Sequence, residues 1–309
     1  MQAKTIEKVI RDKMNSWLKT ITDKDLAKAV KESLLVSGGS IASMFLNEKV
    51  NDFDVYIQDR DVLMMLVQYY ARPFDVITIL DGRNKYQYGD QGGAFGVSIR
   101  NLKEDQIKLF FKSQAGYRVQ ENNQWVNEAL EYRPQYFSPN AISLSNDLQI
   151  VLRFWGTPEQ IHETFDYVHA TNYYTTKDGL VTNLKAIESL LTKQLKYQGS
   201  HYPLTSIIRS KKFIKRGFNM GAGEYLKMIY QVSLLDLNNP DVLEEQLIGV
   251  DVAYFAALIA ILRGKFDVDP FFKMTMEYLV GIIDEVFERH QDTEEEVQPV
   301  TVAVEDVPF

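Results

Sequence analysis

Residues 34–57 have the sequence LLVSGGSIASMFLNEKVNDFDVYI. The apolar run at 34–37 is followed by two glycines, which predicts a short strand that ends in a tight turn. Ser40 is a typical helix-start residue, and the residues after it have a helical composition. DFDVYI at 52–57 alternates polar and apolar residues, as a half-buried strand does. The stretch therefore predicts a strand, a glycine turn, a helix and a second strand in succession.

Two carboxylates stand two residues apart in the second of these strands. Because side chains alternate between the faces of a strand, Asp52 and Asp54 project together, while Phe53 and Val55 enter the core. Carboxylate oxygens are ligands that Mg²⁺ prefers. Alone, the glycines fit a simple tight turn and the Asp-Phe-Asp run fits an exposed strand face. Their combination at this spacing favours a metal site.

The whole stretch resembles the signature of the polymerase-beta-type nucleotidyltransferases. That signature is an apolar strand, Gly-Gly or Gly-Ser, about ten residues, and then Asp-apolar-Asp-apolar. The resemblance implies that Asp52 and Asp54 hold two Mg²⁺ ions, or Mn²⁺ in their place. It implies an enzyme that moves a nucleoside monophosphate from an NTP to a hydroxyl and releases pyrophosphate. It also implies that Gly38, Gly39 and Ser40 bind the nucleotide, because glycines let the turn approach the triphosphate closely.

Members of this superfamily supply a third carboxylate from a later strand beside the first two. We expect Asp166 to be this catalytic metal ligand, because Phe165-Asp166-Tyr167 opens a predicted strand at 166–174. Asp166 would also help to activate the acceptor hydroxyl. Two alternatives stay open, namely that Asp166 has only a role in a helix end or turn, and that Asp147 supplies the carboxylate. His169 would point to the opposite strand face, so we expect it in the core.

A basic stretch lies in the second half of the chain. Residues 209–216, RSKKFIKR, contain five positive charges. In a helix, Arg209, Lys212 and Arg216 share one face. In enzymes similar to the poly(A) polymerases, a helical domain closes the cleft, so the resemblance implies that this face binds the triphosphate. The alternative is a solvated basic face.

The chain is expected to have an α+β fold in which a nucleotidyltransferase-type mixed sheet with flanking helices is followed by an all-helical domain. The expected divisions are a catalytic domain at 1–178, a helical domain at 179–290 and an acidic flexible tail at 291–309. Within the first domain we expect helices at 4–19, 23–33 and 60–71, strands near 74–80 and 108–111, a loop with Gly89, Gly92, Gly93 and Gly96, and a hairpin that turns at Asn146 and Asp147.

Composition excludes several classes of protein. The 309 residues contain no cysteine, which excludes disulfides and thiolate zinc sites, and the four histidines have no close metal-ligand spacing. Neither a membrane-spanning apolar run nor a secretory signal is visible, so we expect a cytoplasmic protein. The net charge of −8 comes mainly from six carboxylates after residue 291. We therefore expect positive charge to act locally.

The expected partners are an NTP and an acceptor such as the 3′ end of a tRNA, with no membrane. The chain also resembles the putative nucleotidyltransferases of large tailed bacteriophages, which would place it in the host cytoplasm or in the virion. Two alternatives stay open: a catalytically silent component of a phage particle, and an enzyme that modifies a protein. The acceptor, the choice of NTP and the oligomeric state are not determined by the sequence.

Overall fold

A computed structural model provides the fold. It describes residues 1–73, 78–81, 84–87, 107–110, 117–119, 131–138, 140–237, 239–247, 275, 277–278, 280–282 and 284. The predicted glycine-rich loop, the acidic tail and most of the helical sequence after residue 247 lie outside these residues. The domain divisions drawn from the sequence stay predictions.

The first half of the chain has the predicted succession of helices and strands. Its helices are α1 (Ala3–Thr20), α2 (Lys24–Ser33), α3 (Gly39–Phe45), α4 (Arg60–Ala71) and α5 (Pro158–His162). Its strands are β1 (Leu34–Ser37), β2 (Phe53–Ile57), β3 (Thr78–Asp81), β4 (Asn84–Gln87), β5 (Ile107–Phe110), β6 (Tyr117–Arg118), β7 (Pro134–Ser138), β8 (Ala141–Leu144) and β9 (Leu148–Val151). Local chemistry sets several boundaries, since Asp23, Asp59 and Thr157 accept hydrogen bonds from the first turns of α2, α4 and α5.

In the described residues, eight strands form the main sheet, which includes β10 (Tyr173–Thr175) and β11 (Gly179–Val181). The strand order is β11-β10-β1-β2-β9-β8-β7-β6. β2 and β9 are parallel, whereas the other neighbouring strands are antiparallel. The α+β class and the mixed sheet are therefore confirmed. β3, β4 and β5 form a separate three-stranded sheet.

One face of the main sheet lies on the hydrophobic core. A row of directly paired residues crosses five strands on this face, and none of its side chains is exposed: Val36, Val55, Ile150, Ile142 and Phe137. Side chains from α1, α2 and α4 pack against the same core. Burial of this apolar surface provides the main favourable term in folding, at roughly 25 cal/mol per Å². It also fixes the register of strand pairing, since a shift of one residue would turn the apolar side chains to the opposite face of the sheet.

The second half is mainly helical in the described residues. Its helices are α6 (Leu184–Thr192), α7 (Pro203–Lys215), α8 (Ala222–Ser233) and α9 (Pro240–Leu247). Residues 180–197 do not form one continuous helix, although the sequence predicts a helical domain there. Asn183 caps α6, and Lys193, with φ +51°, ends it in the left-handed conformation. The prediction of an all-helical second domain also needs correction, because β12 (Gln194–Leu195) pairs in parallel with β13 (Asn219–Met220).

The strand predicted over 166–174 is wrong for most of its length. Val168–Ala170 form a 3-10 turn, and only the end of the segment belongs to β10. Thr171 stabilises the turn, because its hydroxyl donates to the carbonyl oxygen of Val168. His169 is buried against Phe213 and Phe218, which confirms its expected place in the core.

The hydrogen bond from the indole N–H of Trp17 to the hydroxyl of Tyr70 provides a test of the core. The bond is buried and 2.9 Å long. Tyr70→Phe would leave a buried donor unpaired, so we expect a loss of about 1–3 kcal/mol in the free energy of unfolding. The adjacent Tyr69 bonds to exposed Thr22, and we expect Tyr69→Phe to cost less than about 1 kcal/mol. Urea denaturation of both variants would measure the difference, and equal losses would contradict this account.

Candidate functional site

Asp52 and Asp54 lie at the start of β2. Asp54 is partly buried on the sheet face opposite the main core, whereas Phe53 and Val55 are buried in that core, as the alternation predicts. Asp52 is exposed immediately before the strand. Tyr56 follows Asp54 on the same face and packs in a small cluster with Leu35 and other residues. The pleat of one strand thus places one end of β2 in a polar environment.

A second row of paired residues crosses the sheet on the Asp54 face. It consists of Ser37, Asp54, Gln149, Ser143 and Tyr136. Every member is polar, in contrast to the apolar row one position along the strands. Ser37 is fully buried, and the other four are partly buried. The Asp54 face therefore presents a line of polar groups that is accessible beyond β1.

Ser37 is committed to structural hydrogen bonds. Its hydroxyl donates to the carbonyl oxygen of Asn172 at 2.8 Å and lies 2.9 Å from Nε2 of His162. Burial lowers the pKa of His162 to about 4, so its ring is neutral at pH 7. A neutral ring with its proton on Nε2 satisfies both contacts. Ser37 and His162 therefore support the turn beside Asp54, and the Ser37 hydroxyl already both donates and accepts a hydrogen bond.

The two glycines of the turn have different surroundings. Gly38 has φ +93°, and a Cβ added there would meet Oδ2 of Asp54 at 3.1 Å. Gly38 thus lets the backbone pack against the Asp54 carboxylate. Gly39 begins α3, and within the described part of the chain no atom lies within 4 Å of a Cβ added there. The buried hydroxyl of Ser40 has no hydrogen-bond partner among the same residues.

The two carboxylates of β2 oppose each other's ionisation. Burial and, second, the charge of Asp52 raise the pKa of Asp54 to about 7. Arg209 and Lys212 act in the opposite direction on the same carboxyl. Positive charge from α7 therefore reaches Asp54 and only partly offsets the cost of its ionisation.

Asp166 is bound to α7. Its Oδ2 accepts a hydrogen bond from Nη1 of Arg209 at 2.6 Å, and its Oδ1 accepts one from the hydroxyl of Ser200 at 2.7 Å. The side chain of Asp166 is only 6% exposed. Each carboxylate oxygen of Asp166 keeps a further lone pair beside the hydrogen bond that it accepts. Its assignment as a metal ligand stays a prediction, and the described contacts favour a role in holding Arg209.

Asp147, the alternative third carboxylate, lies at the hairpin tip. It is exposed and has φ +52°, and its backbone oxygen accepts a hydrogen bond from Phe53. Lys13 of α1 interacts with Asp147 and lies 4.7 Å from the centre of the Phe53 ring. Because Phe53 points into the core, Lys13 is on the face opposite Asp54. Asp147 therefore interacts with a residue on the core side of the sheet, opposite the polar row.

The basic row of α7 faces the first half of the chain. Arg209 pairs with Asp166, the charge of Lys212 acts on Asp54, and Arg216 pairs with Glu48 after α3. Arg216 also donates to the hydroxyl of Ser43 at 3.1 Å. The prediction that these three residues share one face agrees with this arrangement. Lys212 is exposed, whereas Arg216 is already engaged.

Glu48 is the centre of a contact that joins the two halves. Both Lys193 and Arg216 pair with its carboxylate. Burial raises the pKa of Glu48, but the hydrogen bonds and charges of Arg216 and Lys193 outweigh this effect and hold the pKa below its usual value. No local sequence pattern marks Glu48, because its partners lie about half the chain away.

No other candidate metal centre appears in the described part of the chain. Within those residues, no group of three or more His, Asp or Glu side chains is arranged to hold a metal ion. A surface groove of about 520 Å³ lies elsewhere, between α2, α4 and α5, and contains none of the predicted site residues. Among the described helices, none has the length and apolar character needed to cross a membrane.

Comparison with protein families gives one match. The model of the Gabija anti-defense 2 family, Gad2, matches residues 8–193, which is more than half of the chain. The chain belongs to the Gad2 family. The match includes β1, the glycine turn, β2 and Asp166, and it ends at the left-handed residue after α6. No curated protein matches this Gad2 member.

Solved structures similar to this Gad2 member include a tRNA nucleotidyltransferase and two CCA-adding enzymes. The Thermotoga maritima CCA-adding enzyme complexed with tRNA is 14% identical, with a TM-score of 0.40 and coverage of 97% of this chain and 64% of that one. A tRNA nucleotidyltransferase with a primer tRNA and an incoming ATP analog is 11% identical, with a TM-score of 0.36 and coverage of 86% and 68%. The Bacillus stearothermophilus CCA-adding enzyme with CTP is 9% identical, with a TM-score of 0.36 and coverage of 79% and 51%. The chain thus spans between about half and two thirds of their length, and the function proposed below rests on the residues of the site.

The difference between the two glycines leads to a prediction. We expect Gly38→Ala to lower the free energy of unfolding by about 1–2 kcal/mol, because the new side chain would have an unfavourable φ and crowd Asp54. Gly39→Ala should leave stability unchanged or raise it slightly, since alanine is favourable in a helix and meets open space. Thermal or urea unfolding would compare them. Equal destabilisation by both substitutions would contradict the described turn.

Proposed function

We propose that this protein is a metal-dependent nucleotidyltransferase, which moves a nucleoside monophosphate from an NTP to an acceptor hydroxyl. The observation that carries the proposal is the placement of Asp52 and Asp54 at one end of β2, beside the glycine turn and under the positive charges of Arg209 and Lys212. Acidic and basic groups converge here on a partly exposed face. That combination suits a substrate whose phosphates bind both cations and basic side chains.

The donor set fits Mg²⁺ or Mn²⁺. The carboxylates of Asp52 and Asp54 would hold the ions, and their mutual repulsion gives a physical reason for binding a divalent cation. Two such ions would stabilise the negative charge that develops on the attacking and leaving oxygens. The chain's own residues would bind the nucleotide, orient it and keep the phosphates apart from bulk water.

The nucleotide would lie along the turn and the α7 face. In the described part of the chain, Gly39 leaves space for a phosphate, and the buried hydroxyl of Ser40 has no hydrogen-bond partner there. Lys212 would contact the triphosphate directly. Arg209 would also contact the triphosphate, and its ion pair with Asp166 would hold it in place. Arg216 would have to leave Glu48 to reach the nucleotide, so we place it in the support of α7.

The acceptor hydroxyl belongs to an RNA or a protein. The basic face of α7 with its exposed Lys212 suits the phosphates of a nucleic acid, which favours RNA. The Gad2 family is named for action against the Gabija defence, and we infer that the transfer serves that action, with a component of the defence or its nucleic acid as the acceptor. In either case, one phosphoanhydride bond of the NTP breaks, a phosphodiester forms and pyrophosphate leaves.

Label transfer provides the test. The purified protein would be incubated with each α-³²P-labelled NTP, Mg²⁺ or Mn²⁺, and RNA and protein from bacteria that carry the defence. We expect metal-dependent labelling of an acceptor, because the α-phosphate is the group that moves. RNase or protease treatment would identify the acceptor. Asp52→Asn/Asp54→Asn should lower labelling below detection, since no carboxylate remains on β2 to hold the ions.

The matched control is Asp61→Asn on α4, where the carboxylate is 89% exposed and belongs to a helix start. This variant should label the acceptor at the wild-type rate. Labelling that persists in the double variant, or an absence of metal-dependent NTP turnover in the wild-type protein with every acceptor preparation, would refute the proposed activity.

A further inference from the structure

The residue beside Asp54 on the neighbouring strand is Gln149. β2 and β9 are parallel, and their register pairs Asp54 with Gln149 directly. Neighbouring strands lie about 4.8 Å apart, and paired residues project from the same face. Gln149 is partly buried, as Asp54 is. A carboxamide thus stands next to the central carboxylate of the site.

Gln149 is the neighbour of Asp54 that can act on a ligand. On the other side of Asp54, Ser37 has its hydroxyl engaged with Asn172 and His162. Gln149 carries an oxygen that accepts hydrogen bonds or coordinates a cation, and an amide group that donates to phosphate. Next to it in the row lie Ser143 and Tyr136, which continue the polar line toward β7.

Neither candidate third carboxylate is paired with Asp54 in the sheet. Asp166 accepts hydrogen bonds from Arg209 of α7 and from Ser200, and the backbone of Asp147 turns at the hairpin tip near Lys13. The described residues contain no cluster of three acidic or histidine side chains that would hold a metal. The position beside Asp54 is therefore occupied by a neutral residue.

We propose that Gln149 is the third side chain of the Asp52–Asp54 site and that it replaces a third carboxylate with a neutral ligand. This inference rests on the proposed function and adds how the substrate is bound. With two acidic groups in place of three, the site has low affinity for a free divalent cation. The triphosphate supplies the missing negative oxygens, so the cation and the nucleotide bind together.

Cation binding without nucleotide tests this placement, because it needs no turnover. Isothermal titration calorimetry with Mn²⁺ would compare the wild-type protein with Gln149→Asp. We expect the substitution to tighten Mn²⁺ binding by roughly tenfold or more, since it adds a carboxylate beside Asp54. The matched control is Gln135→Asp on β7, where the side chain is exposed, and this variant should bind Mn²⁺ as the wild-type protein does.

Gln149→Asp places three acidic groups together and could lower the stability of the protein, so thermal unfolding provides a second measurement. The unfolding midpoint of Gln149→Asp should rise with Mn²⁺ concentration more steeply than the wild-type midpoint does. Gln149→Leu, of similar size, should lower the affinity for Mn²⁺ with a non-hydrolysable ATP analogue by several-fold, because the leucine cannot coordinate or donate. The affinity of this variant for Mn²⁺ alone should stay at the low wild-type value.

The outcomes separate the two proposals. If Gln149→Asp gains Mn²⁺ affinity while the wild-type protein transfers no label, the placement of Gln149 stands and the proposed reaction fails. If label transfer occurs but Gln149→Asp and Gln149→Leu both bind Mn²⁺ and the Mn²⁺–ATP-analogue complex as the wild-type protein does, the inference about Gln149 is overturned.

Discussion

The alternation of side chains along β2 is the constraint on which both the fold and the site depend. Val55 must enter the core, where it pairs with Val36 and Ile150 in a fully buried row. Its burial fixes the register, and the register forces Asp54 onto the opposite face. The same constraint aligns Gln149 with Asp54. The core therefore determines which groups meet at the site, and a register shift would cost both stability and the polar row.

The helical half is held against the site by a small number of charged contacts. Arg209 binds Asp166, while Arg216 and Lys193 converge on Glu48. Each involves at least one partly buried partner, so removal of one partner would leave a charge with reduced access to water, which is costly. Phe213, which lies between Arg209 and Arg216 in the chain, contacts the buried His169 ring. α7 is thereby held so that Lys212 reaches the field of Asp54.

Local sequence patterns predicted the parts of the fold that local chemistry determines. The alternation in β2, the helix after the glycine turn and the hairpin at Asn146 and Asp147 are features of neighbouring residues, and the structure has them. Ser40 does not cap that helix, because α3 begins at Gly39 with Gly38 in the capping position. The strand expected at 166–174 failed because hydrogen bonds from Thr171 and packing of His169 favour a turn. Tertiary contacts outweighed a pattern of β-branched and aromatic residues there.

The candidate site could be predicted only where its residues are close in sequence. Asp52, Asp54 and the glycine turn lie within one short segment, so their spacing was informative. Gln149 comes to Asp54 through the pairing of distant strands, and a neutral residue carries no signal of its own. The partners of Arg209 and Arg216 are likewise set by tertiary packing, although the shared face of α7 was visible in its helical spacing.

We propose that Asp52 and Asp54 form a pair of mutually repelling carboxylates that binds a divalent cation. ¹³C NMR of the Asp54 carboxyl group, titrated with and without Mg²⁺ and a non-hydrolysable ATP analogue, tests it most directly. We expect a midpoint near the pKa of about 7 in the free protein, because burial and Asp52 disfavour the charged form. The midpoint should fall by more than about one unit when the cation and nucleotide bind. A midpoint near 4 that neither Mg²⁺ with nucleotide nor Asp52→Asn changes would contradict the account.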